Sequence, residues 1–464
     1  MKRLTISFLL FACAGCGPAA GNRDVAGRII AAASGRSRAY DKLAYLTDRI
    51  GPRLSGSAGL ERAVRWSVSE FQRDGVDRVW TEKAMVPHWV RGVEKARILS
   101  PVEHRLAATA IGMSIPTPQD GITGEVIEVQ SFEELEKAGE RVRGRIVLYN
   151  KPIAPNGGEK EGYGSAVALR GSGAVEAGKL GSVATLIRSL GTAAFRLPHT
   201  GAMKYDENVP PIPSAAISSE DADLIHRLLA AGDSVLVHLV LGCETLPDVE
   251  SANVIAEIRG RERPDEIVLI GAHLDSWDLG TGAIDDGAGV AIVMETMRLV
   301  KSLGLQPRRT IRAVLFTNEE NGLAGGRAYA EAHKDELGRH VAAIETDSGG
   351  AKPLGFGVTG GPGAEEIVRR IASRLKHIGA DDVVGSGGGA DISPLKAAGV
   401  PLMGLRQDST RYFDYHHTAA DTLDKVEPGD LARNAAAMAV MAYALAEREE
   451  SLPRLAPPSS SPSR

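Results

Sequence analysis

The chain has 464 residues, of which 43% are hydrophobic and 24% are charged, and it carries a net charge of −5 at pH 7. These values are typical of a soluble globular protein, and the length exceeds what one compact core usually organises, so we expect two domains. The small negative charge and the 5% aromatic content argue against the basic patches and stacking platforms of nucleic-acid binding, which leaves chemistry on peptides or small molecules.

The first sixteen residues predict an export signal. Lys2 and Arg3 precede the apolar run 4–14, which is too short to span a bilayer as a helix. The run ends in Cys13-Ala-Gly-Cys16, and small residues before a cysteine resemble the lipobox of bacterial lipoproteins. Cys16 would then be the lipid-bearing first residue of a membrane-attached mature protein, whereas the alternative is an ordinary signal peptide cleaved nearby. Both interpretations predict a periplasmic or extracellular protein.

The next part of the chain predicts helices followed by a β-rich module. Residues 24–75 have a helical periodicity that is interrupted at 50–57 by a Gly-, Pro- and Ser-rich loop. From about residue 78 to 245, short β-like runs are separated by Pro/Gly turns, with a few helices between them. The clearest of these elements are strands 124–129, 145–149 and 235–241 and helix 219–231. Cys243 is the single cysteine outside the export signal, and we expect it to be buried and unpaired.

From about residue 250 the pattern changes to alternating strands and helices, which is typical of an α/β sheet covered by helices. The predicted strands are 266–272, 310–317, 341–346 and 400–406. The predicted helices are 287–303, 323–334, 364–377 and 428–448. The Pro- and Ser-rich end of the chain, 451–464, predicts a disordered tail.

Acidic and histidine side chains follow the predicted strands of this second part at their carboxyl ends, where open α/β sheets bind their ligands. They are His273, Asp275, Glu319, Glu320, Asp347, His416, His417 and Asp421, together with Asp285 and Asp286 in the Gly-rich stretch before helix 287–303. Each has an ordinary structural explanation when taken alone, and Asp286 is best explained as a helix cap. Their convergence at four strand ends predicts a functional site.

The composition of this set predicts a metal centre. Histidines and carboxylates without cysteine suit Zn²⁺, with Mn²⁺ or Co²⁺ as substitutes. There are too many ligands for one tetrahedral zinc, whereas two ions about 3.5–4 Å apart that share a carboxylate would use them all. Adjacent side chains on extended backbone point in opposite directions, so one of Glu319 and Glu320 can bind metal while the other acts as general base.

These motifs resemble the co-catalytic zinc aminopeptidase/carboxypeptidase family. The motifs are His273-Leu-Asp275, Gly282-Ala-Ile-Asp285-Asp-Gly, Asn318-Glu-Glu-Asn-Gly, Glu345-Thr-Asp347 and His417-Thr-Ala-Ala-Asp421-Thr. Arg49-Ile-Gly-Pro-Arg-Leu-Ser-Gly and Pro198-His-Thr-Gly are similar to its plasma glutamate carboxypeptidase (carboxypeptidase Q) branch. The resemblance implies a mixed central sheet flanked by helices, over residues 24–95 and 246–450. It also implies an inserted β-rich domain, similar to protease-associated domains, over residues 96–245.

The resemblance also implies a role for each site residue. His273 and Asp347 would bind one zinc, Glu320 and His417 the other, and Asp285 both. Glu319 would be the general base and acid, Asp275 would orient His273, and Asp421 would orient His417. The implied activity is hydrolysis of dipeptides, or removal of an unblocked N-terminal amino acid from a short peptide, by a homodimer.

Three residues that lie near these motifs remain without an assigned role. The loop 385–391, where some relatives supply a substrate-binding side chain, is nearly all glycine, so its backbone N–H groups are the candidate donors. Asp391 is expected to hold this loop or to face substrate. His199 and His416 are expected either to line the substrate cleft or to be structural, and for His416 a place beside the metal ligands is favoured over a metal bond.

Two other functions are compatible with the predicted fold. A non-catalytic binding protein would not require Glu319 beside Glu320 with a full set of ligands. An acyltransferase of the glutaminyl cyclase kind is disfavoured by the predicted insertion and by the Pro198-His-Thr-Gly motif. A zinc exopeptidase is therefore the favoured prediction.

Overall fold

The computed structural model describes residues 25–154, 162–193 and 195–456. The predicted export signal 1–16, with Cys16, lies outside the described residues. Within the described ranges, no helix has the length and apolar character that a membrane span requires.

Helices open the described chain, as the periodicity over 24–75 predicts. They are α1 (Val25–Arg36), α2 (Ala39–Tyr45) and α3 (Ala58–Arg73). Ser57 caps α3, because its hydroxyl accepts a hydrogen bond from the Leu60 N–H at 3.1 Å. Apolar residues that recur every three or four positions, among them Leu60 and Ala63, point from α3 into the core.

The strands form two mixed sheets. In chain order they are β1 (Arg78–Val90), β2 (Glu94–Ser100), β3 (His104–Leu106), β4 (Ala108–Ala110), β5 (Ile122–Val129), β6 (Ile146–Tyr149), β7 (Ala184–Arg188), β8 (Ser214–Ile217), β9 (Leu236–Leu241), β10 (Glu244–Ile258), β11 (Arg263–His273), β12 (Arg309–Phe316), β13 (His340–Glu345), β14 (Pro353–Thr359), β15 (Asp382–Val384) and β16 (Leu402–Gln407). The remaining helices are α4 (Phe132–Ala138), α5 (Val167–Lys179), α6 (Ser219–Ala230), α7 (Ala288–Ser302), α8 (Ala324–Ala332), α9 (Ala364–Ala372), α10 (Tyr412–Tyr415) and α11 (Pro428–Glu447).

The first sheet has the order β1-β10-β12-β11-β13-β16-β14-β15. Its central strands β12, β11, β13 and β16 are parallel neighbours, so their carboxyl ends lie along one edge. These are the four strands whose ends the sequence predicts to carry the site. The mixed central sheet of the predicted fold class is confirmed.

The core of the first sheet depends on small and branched apolar residues. Helix α7 is buried along nearly its whole length, and the Ala-rich helix α11 packs beside it and over β11, β12 and β14. Alanine side chains let these helices approach closely while the strands present continuous Val, Ile and Leu runs, as expected for a sheet covered on its faces. The first sheet therefore provides a rigid base for its carboxyl edge.

The second sheet has the order β3-β2-β9-β5-β6-β7-β8-β4 and is built from residues between β1 and β10 of the first sheet. Strands β5 to β8 are parallel neighbours. Helix α4 connects β5 to β6 and helix α5 connects β6 to β7, so helices as well as turns join the strands of this part. Cys243, just after this part, is buried and unpaired among the described residues, as predicted. We propose that this second sheet with its helices is the inserted domain expected over 96–245.

The end of the chain differs from the predicted tail. Leu452 is buried in the main core, and the Arg454 guanidinium donates hydrogen bonds to main-chain oxygens that include those of His340 and Ala398. Leu452 and Arg454 therefore pack residues 451–456 against the domain. The Pro- and Ser-rich composition of this end of the chain does not reveal these contacts. Residues 457–464 lie outside the described residues.

Candidate active site

Five side chains meet at the carboxyl edge of the first sheet. His273 Nε2 lies 3.1 Å from Asp285 Oδ1 and 3.5 Å from Asp347 Oδ1. His417 Nε2 lies 3.2 Å from Asp285 Oδ2 and 2.9 Å from Glu320 Oε2. The structure therefore brings together all five predicted metal ligands, from the ends of four strands and the loop before α7.

These side chains form two groups that share one carboxylate. The first donor set is His273, Asp285 and Asp347, and the second donor set is Asp285, Glu320 and His417; within each set the ligand atoms lie within 4.8 Å of one another. Asp285 Oδ2 and Asp347 Oδ1 are buried, and neither accepts a hydrogen bond from a described residue. Buried carboxylate oxygens without donors are costly. Both sets therefore fit a divalent cation.

Arg53 fixes the loop that carries Asp285. Its guanidinium is fully buried and donates hydrogen bonds to the main-chain oxygens of Leu274, Thr281 and Gly282 at 2.8, 2.7 and 2.9 Å. Burial lowers the pKa of Arg53 to about 10, against the opposing effect of nearby carboxylates. The side chain thus stays charged at neutral pH and joins the end of β11 to the loop before α7.

Asp421 has a different role from the one predicted. Its Oδ1 accepts hydrogen bonds from the Ala283 and Ile284 N–H groups at 2.8 and 2.7 Å, whereas His417 Nδ1 has no hydrogen-bond partner among the described residues. The prediction that Asp421 orients His417 is therefore wrong. The carboxylate instead holds the two residues before Asp285, and burial raises the pKa of Asp421 to about 7.

Asp275 orients His273 through its main chain. His273 Nδ1 is 3.0 Å from the Asp275 main-chain oxygen but 3.9 Å from the nearest carboxylate oxygen. The carboxylate accepts hydrogen bonds from the N–H groups of Glu319 and Glu320 at 3.0 and 3.2 Å. The main-chain oxygen of Asp275 thus positions His273, and its carboxylate positions Glu319 and Glu320.

Asp286 caps helix α7, as predicted. Its carboxylate accepts hydrogen bonds from the N–H groups of Gly289 and His273 at 3.0 and 3.2 Å. A Cβ at position 289 would lie 2.3 Å from the Asp286 oxygens, so this close approach requires glycine. The cap therefore joins the first turn of the helix to the end of β11.

The Glu319 side chain lies beside the five ligands, and no described residue donates a hydrogen bond to its carboxylate. Burial raises the pKa of Glu319 well above its ordinary value; His273 opposes this shift, while Asp347 and Glu320 reinforce it. A carboxyl group whose pKa is raised in this way is a candidate to accept and return a proton.

Two histidines that the sequence left unassigned adjoin the ligands. His199, which lies between β7 and β8 of the second sheet, places Nε2 3.0 Å from His416 Nδ1. His416 Nε2 in turn lies 3.4 Å from Asp285 Oδ2, and its ring stacks on His417 at 3.6 Å. The second sheet therefore contributes a side chain to the centre. The Pro198-His-Thr-Gly motif was the one sequence signal for it.

The glycine-rich loop 385–391 is held by a residue outside it. Glu345 accepts hydrogen bonds from the N–H groups of Asp391 and Ile392 at 3.4 and 2.9 Å. The Asp391 carboxylate is buried and has no hydrogen-bond partner among the described residues, so it does not itself hold the loop. Burial and the neighbouring Glu345 raise the pKa of Asp391 well above its ordinary value.

The chain is similar to known peptidases in sequence and in fold. A model of peptidase family M28 matches residues 253–442. Carboxypeptidase Q of Mus musculus is 42% identical over 419 residues, which cover 90% of this chain and 88% of that relative. The crystal structure of a peptidase M28 precursor from Shewanella amazonensis SB2B has a TM-score of 0.90 at 42% identity, and covers 94% of this chain and 98% of that chain. BSAP, a zinc aminopeptidase from Bacillus subtilis, shares the fold with a TM-score of 0.66 at 20% identity, over 90% of this chain and 97% of that chain.

Proposed function

The chain belongs to peptidase family M28 and is a metallo-exopeptidase, and we propose that it hydrolyses dipeptides, or removes unblocked N-terminal amino acids from short peptides, with two zinc ions. The observation that carries this proposal is the shared carboxylate of Asp285, which belongs to both donor sets and directs one oxygen toward each histidine. A zinc aminopeptidase and carboxypeptidases among the similar proteins support it.

The residues present fit the two ions. His273 and Asp347 would hold one zinc, Glu320 and His417 the other, and Asp285 would bind both. The oxygens of Asp285 and Asp347 that have no donor would then have a cation as partner. When bound, zinc polarises carbonyl groups and lowers the pKa of water to about 7.

The chain itself supplies the proton transfer. We propose that Glu319 takes a proton from the attacking water and returns it to the leaving amine. The Glu319 N–H donates a hydrogen bond to the Asp275 carboxylate, which holds the Glu319 main chain beside the donor sets. The neighbouring Glu320 is turned toward His417, which separates the two glutamate roles on adjacent residues.

The proposed metal centre supports a substrate with a free N-terminus. Two bound zinc ions would balance the charge of the four carboxylates of Asp285, Glu319, Glu320 and Asp347. An unblocked amine has a lone pair that such a centre can bind, whereas the nitrogen of an acylated N-terminus does not. This selectivity distinguishes an exopeptidase from an endopeptidase.

The location and assembly of the protein are proposed from the sequence. Residues 1–16 support export, with the mature protein in the periplasm or outside the cell, and Cys16 is the proposed site of lipid attachment to a membrane. The resemblance to carboxypeptidase Q supports a homodimer.

Glu319→Gln tests the proposed catalysis. We expect the variant to retain its zinc, because the five ligands are unchanged, and to lose about 10²–10⁴-fold in kcat on a dipeptide with a free N-terminus, since amide cannot transfer the proton. Zinc content and steady-state kinetics of wild type and variant check both parts. A variant with wild-type activity would remove Glu319 from the mechanism, and one that has lost zinc would assign it to metal binding.

A further inference from the structure

A pocket of about 270 Å³ lies where the start of α1, the end of α9 and the end of α11 meet. Buried apolar side chains, among them Ile29, Ile371 and Val440, form its floor. Its other lining residues include the three arginines Arg370, Arg374 and Arg448, whose side chains are exposed or half-buried. This basic pocket therefore suits a ligand that joins an anionic group to an apolar part.

Two of the three arginines have no carboxylate partner within the described ranges. Arg374 forms no ion pair there, and Arg448 donates from Nε only to the main-chain oxygen of Glu450, at 3.3 Å. Arg370 lies 3.5 Å from a Glu366 oxygen, but its side chain is 70% exposed, so this pair is weak. The guanidinium groups are therefore available to an external anion.

The acidic residues near the basic pocket do not cancel this charge. Glu447 is the one carboxylate among the described lining residues, and both of its oxygens accept hydrogen bonds from Arg261, which lies outside the lining. The exposed Glu449 and Glu450 follow Arg448 in the chain but do not line the pocket. The pocket thus keeps an excess of positive charge.

The basic pocket lies at the edge of the first sheet opposite the metal ligands. Just after α11, the main-chain oxygen of Glu449 accepts hydrogen bonds at 2.9 Å from Arg263 and Arg309, the first residues of β11 and β12. Arg28 of α1 donates to the main-chain oxygen of Leu303, at the far end of α7, at 3.0 Å. Helix α7 has 15 residues and is about 22 Å long, so one helix length separates this face from the proposed metal ligands.

The same face lies close to the proposed site of lipid attachment. Val25, which lines the basic pocket, comes nine residues after Cys16. A fully extended chain of that length spans at most about 32 Å. A lipid on Cys16 would therefore keep the basic pocket within reach of the membrane surface.

We propose that the basic pocket binds the headgroup of an anionic phospholipid in the membrane to which Cys16 attaches. The guanidinium groups would pair with the lipid phosphate, and the apolar floor would pack against the glycerol and the first methylenes of the acyl chains. The carboxyl edge of the first sheet would then face away from the membrane and be open to peptides in solution. This proposal is independent of the peptidase chemistry and adds an orientation to the proposed lipid attachment.

Binding to vesicles tests the basic pocket without the lipid anchor. The chain from residue 17 onward contains every described element and lacks Cys16, so the result does not depend on lipid modification. We expect it to bind vesicles of phosphatidylglycerol and phosphatidylcholine about 100-fold more tightly than vesicles of phosphatidylcholine alone, since each of the three arginines contributes about fivefold. Sedimentation with the vesicles measures both affinities.

A triple variant, Arg370→Gln with Arg374→Gln and Arg448→Gln, removes the cations of the basic pocket. It should bind the two kinds of vesicle equally, and Arg374→Gln alone should weaken binding to the anionic vesicles about fivefold. The melting temperature of both variants should remain that of wild type, because these side chains are at the surface.

The matched control carries the same loss of charge at exposed residues outside the basic pocket, Arg65→Gln with Arg141→Gln and Arg227→Gln. It should keep the wild-type preference for anionic vesicles. A preference that survives in the triple variant, or that the control loses to the same extent, would overturn the proposal. Stabilisation by inorganic phosphate beyond that by chloride at equal ionic strength, without any preference between vesicles, would replace the membrane with a soluble anion.

Discussion

The two oxygens of Asp285 have different surroundings. Oδ1 faces His273 and Oδ2 faces His417. The residue is positioned by two side chains that are distant in sequence, Arg53 and Asp421, and by the adjacent Asp286. Arg53 and Asp421 hold the backbone before Asp285, and Asp286 anchors the backbone after it. This arrangement makes Asp285 the residue on which both donor sets depend.

Replacing Asp285 is therefore expected to affect both proposed metal sites. Asp285→Asn keeps the size of the side chain but removes the charge and one acceptor, so we expect bound zinc to fall from two ions to at most one per chain. Metal analysis of the purified variant measures this loss. Asp335→Asn, the same chemical change at an exposed residue after α8, is the matched control and should retain both ions. An Asp285→Asn protein with two tightly bound ions would contradict the shared-ligand arrangement.

At the scale of elements, the sequence predicted best what depends on continuous apolar runs. Strands β11, β12, β13 and β16 and helices α7 and α11 were placed to within a few residues, because each is buried along its length. Strand β14, Pro-Leu-Gly-Phe-Gly-Val-Thr, was missed because glycines interrupt its pattern, and β15 has only three residues.

The part of the site that depends on these strands was also predictable. The five ligands follow strand ends, so their convergence could be inferred from the alternation of strands and helices. The hydrogen-bond partners of Asp421 and of the Asp275 carboxylate could not be inferred, because they are main-chain N–H groups that only the packing of loops brings close. His199 belongs to the other sheet, and no local pattern links it to His416.

The edge strand β1 is held by a charged cluster on its face. His333, just after α8, lies 3.0 Å from Glu82 of β1 and 2.5 Å from Glu336. Burial lowers the pKa of His333, but its hydrogen bonds to these two carboxylates outweigh this effect and raise it above the ordinary value. The His333 hydrogen bond, with help from Arg312, lowers the pKa of Glu336 to about 2.

This cluster gives a pH dependence of stability with a defined sign. The raised pKa of His333 stabilises the fold fully below about pH 6.5, and this contribution is lost as the pH rises through the folded pKa. The lowered pKa of Glu336 stabilises the fold above about pH 4.5, and this contribution is lost as the pH falls toward 2. The free energy of unfolding of wild type should thus exceed that of His333→Gln most between about pH 4.5 and 6.5. Denaturant unfolding of both proteins at pH 5.5 and 9 measures the difference. An equal difference at both pH values would exclude a protonated His333 in this cluster.

At the scale of the whole molecule, zinc is expected to contribute to folding as well as to catalysis. The second donor set and the loop around Asp285 carry several buried carboxylates, whose repulsion bound zinc would relieve. Chelation should therefore abolish peptidase activity and lower the melting temperature, and Zn²⁺ should restore both. Calorimetry and a dipeptide assay on the same chelated sample measure the two effects. Full activity in the presence of an effective chelator would remove the two-metal model.

The position of the second sheet between β1 and β10 has a consequence for the order of folding. These two strands pair along almost their whole length, from Arg78 with Glu257 to Val90 with Glu244, so residues 91–243 form the loop that this pairing must close. Closing a long flexible loop costs conformational entropy, whereas a segment that has already folded holds its ends near each other. Residues 94–241 are therefore expected to fold first and to template the β1–β10 pairing. The contact between His199 of this segment and His416, beside the proposed metal ligands, would form last.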